Sequence, residues 1–197
     1  MNLKNDKSLR LNAMTVIHKY IRHELFAMCQ VLAKAAPDQV EVVQTALQSV
    51  VGLLYDHAEH EDKHLSGLLE KVDDALAQRM RWDHKRLDKH LEDILELAWQ
   101  LNAIPVGVRA SQLLQLYLDW NRFVGAYLAH LDDEERTLFP AIHEQLPPVA
   151  VVAQNAVSQP TEDRQRFMAN FKAALTADEF RMISDEVTAQ LAQQQLA

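Results

Sequence analysis

Four glycines and six prolines in 197 residues fall well short of the roughly 12% of average usage. Turn-rich sandwiches and barrels need these residues at their corners, and phosphate-cradling loops need runs of glycine, so both classes are disfavoured. The single cysteine, Cys29, excludes an internal disulfide framework and any all-cysteine zinc or iron–sulfur site. No run approaches the roughly 18 apolar residues of a membrane span, and the polar segment Met1 to Arg10 lacks the apolar core of a secretion signal. Basic charge is also short. Twenty Lys and Arg stand against 28 Asp and Glu, a formal net charge of −8 with no basic cluster. Nucleic acid is therefore not an expected partner, and anionic membranes repel such a chain. The expectation is a cytoplasmic protein without a membrane partner.

What remains is helical. Hydrophobic residues make up 48% of the chain and recur at helical spacing almost throughout. Long helices are predicted over about residues 11–35, 40–70, 74–101 and 111–145. The first is stopped by Ala36-Pro37-Asp38, Asp73 is placed to cap the third, and Pro140 should bend the end of the fourth. Two shorter helices are expected from Thr161 and from Thr176, the second behind the capping-box pattern Thr176-Ala-Asp-Glu179. The predicted architecture is all-α: an antiparallel up-down-up-down four-helix bundle over residues 11–148. Residues 1–10 are expected to be disordered, and residues 149–197 to form a short helical extension.

Histidine is the abundant residue, with nine copies. Helical phase separates them. His18 lies in the apolar row Met14, Ile17, Ile21, Leu25, Met28, and His57 and Glu61 continue Val50 and Leu54. His84 stands between Met80 and Leu87, and His130 and Glu134 follow Trp120, Phe123 and Tyr127. Four histidines and two glutamates thus occupy core positions. Their levels agree as well. His18 precedes Pro37 by 19 residues and His57 follows it by 20, while His84 and His130 each stand 23 residues from Gly107. At about 1.5 Å per helical residue, all six groups should meet in one layer.

A lone histidine on an apolar stripe is ordinarily a hydrogen-bonded core residue, but four beside two in-phase glutamates form a ligand set. Buried carboxylates without a partner cost several kcal/mol each, and a metal pair removes that cost. Imidazole and carboxylate suit iron, and also Mn, Zn or Ni. The i, i+4 spacing of His57/Glu61 and of His130/Glu134 puts each pair on one helix face. Each histidine can then hold a metal while its glutamate reaches across to bridge two ions about 3.5–4 Å apart.

The pattern His18 … His57-x-x-x-Glu61 … His84 … His130-x-x-x-Glu134 resembles the hemerythrin-like, or HHE cation-binding, family. His-Glu-Asp at 60–62, Tyr-Leu-Ala-His at 127–130 and Leu-Phe-Pro at 138–140 extend the likeness. The resemblance implies two non-haem Fe ions with an oxo or hydroxo bridge, held by His18, His57, Glu61, His84, His130 and Glu134. It further implies a small diatomic or peroxide ligand. Oxygen-carrying hemerythrins have five histidines, with a His-x-x-x-His helix followed by a His-x-x-x-x-Asp helix; here the third helix reads His84-x-x-x-Asp88 and the fourth carries Glu134. The set is more similar to the repair-of-iron-centres proteins and to the hemerythrin domain of the iron-sensing F-box protein.

Two function classes follow. One is a module that binds or senses O2, NO or peroxide in iron, oxidative or nitrosative stress. The other is a di-iron enzyme that reduces NO or peroxide, or protects or repairs iron centres. Iron storage is disfavoured, because the ferritin-type spacing Glu61-x-x-His64 has no second copy. His23, His90 and His143 read as surface residues, His60 and His64 are ambiguous, and a homodimer is compatible with the sequence.

Overall fold

The computed structural model describes residues 12–196; the segment expected to be disordered, residues 1–10, lies outside them. Among the described residues every regular element is helical, and no helix is long and apolar enough to cross a membrane. The chain forms two compact units.

The larger unit, residues 24–142, holds the second half of α1 (Ala13–Lys34) together with α2 (Val40–His64), α3 (Ser66–Val72), α4 (Asp74–Gln100), α5 (Arg109–Asp133) and the short α6 (Phe139–Ala141). Its helices start where the sequence supplies caps. Asp73 Oδ1 accepts from the Ala75 amide at 2.9 Å, satisfying one of the orphan donors at the head of α4. α4 packs against α2, α3 and α5, burying Leu47, Leu54, Leu69, Met80, Leu91, Ile94, Leu116 and Phe123. The buried indole of Trp120 donates to the Leu25 carbonyl at 3.3 Å, pinning α5 to α1. At the turn end, Gln44 donates to the Ala98 carbonyl at 2.8 Å. Arg109 donates to the carbonyls of Ile104 at 2.7 Å and Pro37 at 3.1 Å, joining the two interhelical turns.

The smaller unit comprises the chain up to His23 and from His143 onward. Asn12 caps α1 by accepting from the Thr15 amide at 2.9 Å. α7 (Ala150–Ser158) packs on α9 (Ala177–Leu196), with α8 (Thr161–Ala174) against both. Tyr20 meets Phe171 with ring centroids 4.6 Å apart, and Phe171 meets Phe167 at 4.3 Å. Lys19 forms an ion pair with Glu179, and the capping box closes as expected, with the Thr176 amide donating to Glu179 at 3.0 Å and the Glu179 amide to Thr176 Oγ1 at 3.3 Å.

Three details differ from the sequence reading. The helix expected over 40–70 is interrupted at Leu65, whose amide still donates to Glu61 at 2.8 Å before α3 begins. The bend expected from Pro140 is a π turn, Glu134–Leu138. Proline has no N–H for the carbonyl four residues back and its ring crowds that carbonyl, so a wider turn relieves both. The C-terminal region also contains a third helix, α7, nine residues long, whose polar face is only Gln154, Asn155 and Ser158, too short to establish a helical period.

Candidate metal centre

α2, α4, α5 and the π turn that follows α5 deliver five of the six predicted residues to one place in the larger unit. Glu61 and Glu134 are 1% and 0% exposed, and His57, His84 and His130 are buried around them. His57 Nε2 stands 3.5 Å from Glu61 Oε2, and His130 Nε2 stands 3.2 Å from Glu134 Oε1, each pair one helical turn apart. His84, from α4, lies between them: its Nε2 is 3.3 Å from Glu61 Oε2 and 3.7 Å from Glu134 Oε1. One donor atom from each of Glu61, His84, His130 and Glu134 falls within 4.8 Å of all the others. The sixth predicted residue, His18, is fully buried on α1 in the smaller unit, on the same helical stripe as Leu25 and Met28.

The electrostatics follow from two buried carboxylates. Burial pushes His84 toward its neutral form, but hydrogen bonds to Glu134 and Glu61, and their negative charges, outweigh it and hold the pKa up at about 11. The cluster thus draws positive charge inward. Tyr127 lies edge-on to His130, with ring centroids 5.5 Å apart. Burial, then the charges of Glu61, Glu134 and Asp88, push its phenol well above the ordinary value of 10, so it stays protonated.

Outside the cluster, His84 Nδ1 lies 3.0 Å from Asp62 Oδ1. A carboxylate accepts, so Nδ1 carries the hydrogen and Nε2 is the nitrogen turned toward Glu61. This is the partner that orients a metal-ligating imidazole and raises its basicity. Sequence reasoning missed Asp62, because a half-exposed acid on the polar edge of a helix looks like a solvated residue. A second acid beside a buried glutamate behaves similarly: Asp133 pairs with Arg79 of α4 at 2.9 Å and accepts from Thr137 at 3.2 Å, holding the start of the π turn.

The remaining candidates stand apart. His60 and His64 are exposed on the outer face of α2, and His143 is exposed as expected. His90, expected on the wet side, is half-buried edge-on to Phe123 at 5.4 Å, and burial lowers its pKa. Cys29 is half-buried, and burial pushes its thiol up, away from thiolate character.

Three imidazoles and two carboxylates converging in a buried interior supply nitrogen and oxygen donors with matching charge, and they fit a cationic metal centre. Fold and site together define a metal-binding helical bundle. The chain belongs to the hemerythrin family: the pattern of the hemerythrin HHE cation-binding domain matches residues 10–142. Comparisons with curated proteins and with solved structures return no significant match.

Proposed function

We propose that the protein holds a pair of non-haem iron ions and uses them to bind or sense O2, NO or peroxide in cytoplasmic responses to iron, oxidative or nitrosative stress. In this reading residues 11–148 form an antiparallel up-down-up-down bundle with residues 149–197 as a helical extension. The ligands are His18, His57, Glu61, His84, His130 and Glu134. Glu61 and Glu134 would hold the metal pair together with the histidines, and His84 lies near both carboxylates. His18 is counted in the set on two grounds: its spacing from Pro37 matches that of His57, and its side chain is fully buried.

The observation that carries the choice of ligand is burial. Every one of the six side chains is 5% exposed or less, so the site offers no open face to an organic substrate. A ligand with only two non-hydrogen atoms, as O2, NO and peroxide all have, suits such an enclosed site. An iron pair supplies coordination positions for such a ligand and one-electron redox chemistry. The chain's own residues set the rest: Asp62 fixes the orientation of His84, and Tyr127 keeps its proton beside His130.

The test is anaerobic addition of NO, O2 or peroxide to the reduced iron-loaded protein, followed by visible absorption. A single stoichiometric spectral change that stops without further consumption supports binding or sensing. Continued consumption with an added electron donor would instead establish the reductase reading, and no change with any of the three would sink both.

A further inference from the structure

We infer that His60 and His64 form a second metal site, exposed on the outer face of α2, for a divalent ion of the copper, nickel or zinc type. The two residues are one helical turn apart, and their ring centroids lie 5.6 Å apart with the planes inclined at 42°. That spacing lets two imidazoles on one helix face reach a common ion. Both are exposed, whereas His57 and Glu61 of the same helix are buried. The helix therefore presents one metal-ligating pair inward and another outward.

A second observation concerns the ring of His60. Its Nδ1 lies 3.1 Å from the backbone carbonyl of Asp56. A carbonyl only accepts, so Nδ1 carries the hydrogen and the lone pair of the neutral ring is on Nε2. Donation from one ring nitrogen to a carbonyl is the arrangement that orients metal-ligating histidines generally. His60 also lines a shallow cleft with Asp56, Glu59 and Lys63. Two acids against one lysine leave that cleft negative, which favours a cation. Two imidazoles completed by water select transition ions and reject Mg and Ca, which prefer all-oxygen shells.

An exposed two-histidine site exchanges its ion freely, unlike the enclosed cluster. It is tested by titrating Zn(II) into the full-length iron-loaded protein by calorimetry, with Cu(II) paramagnetic resonance to count coordinated nitrogens. Wild type should take up one ion beyond its iron, with two imidazole nitrogens on Cu(II). His60→Ala or His64→Ala should each weaken that ion at least tenfold, and the double variant should abolish it with iron content unchanged. Alanine at exposed helical positions preserves the helix, and His143→Ala should change nothing. Uptake of no ion beyond the iron, or undiminished uptake by the double variant, would overturn the assignment. If iron is absent from the protein, the same loss of one Zn(II) between wild type and double variant still decides the question.

Discussion

Glu61 and Glu134 govern the chemistry of the centre because neither can shed its charge into water. Without metal, the protonated His84 lies between the two carboxylates, with His57 facing Glu61 and His130 facing Glu134. Replacing a buried charge by a neutral isostere removes a desolvation cost of several kcal/mol, whereas removing a metal ligand forfeits the stability that binding contributes. Glu61→Gln should therefore melt at or above wild type when both are metal-free, and below it when both are loaded. Scanning calorimetry of the two proteins in both states checks the crossing; equal ordering in both states would contradict it. Asp62→Ala acts one step removed. Loss of the bond to His84 Nδ1 should lower metal affinity by about 10–100-fold with helix content unchanged, as read by competition with a chromophoric chelator. Five of these positions were legible because heptad phase and distance from the turns are properties of the sequence. Asp62 was not, since its role depends on a cross-helix contact from the polar edge of α2 to α4.

Element by element, the long helices follow from spacing and from caps such as Asn12 and Asp73. The departures arise where tertiary geometry overrides period. Leu65 keeps helical dihedrals, and the turn-prone pair Ser66-Gly67 follows it directly, so the break has a local signal that the apolar period of 40–70 masks. Around it, Arg81 of α4 bonds both Ser66 and Glu70, tying α3 to its neighbour. Pro140 did announce a disturbance, but not its form. The π turn begins at Glu134, so the widened backbone sets where that carboxylate points. Pro140→Ala restores the missing amide and lets the turn close to α-helical pitch. Glu134 should then swing off its position, and metal affinity should fall tenfold or more while circular dichroism shows helix content equal or greater. Unchanged affinity would separate the turn from ligand placement.

At the scale of the whole molecule, the C-terminal helices are tied to the first helix within their own unit. Burial would raise the pKa of Glu179, but hydrogen bonds from Lys19 and Thr176 outweigh it and hold the carboxyl below its ordinary value. A carboxyl depressed in the folded state contributes stability that is fully present above its unfolded pKa, and that is lost as pH falls through the lower folded value. The loss therefore belongs below about pH 4.5. The pair is partly exposed, so its contribution is about 0.5–1 kcal/mol. Lys19→Met should lower stability by that amount at pH 7 and by progressively less as pH falls below about 4.5, measured by urea unfolding. A difference that does not shrink as the pH falls would assign the effect to packing.

On the proposed function, the buried imidazole–carboxylate cluster holds two metal ions. This is tested most directly by mass-spectrometric metal analysis of protein purified anaerobically from iron-replete cells, beside the Glu61→Ala/Glu134→Ala double variant. Wild type should carry about two irons per chain, and the variant should lose them. Metal-free wild type whose melting temperature is unmoved by added iron or by chelators would contradict this.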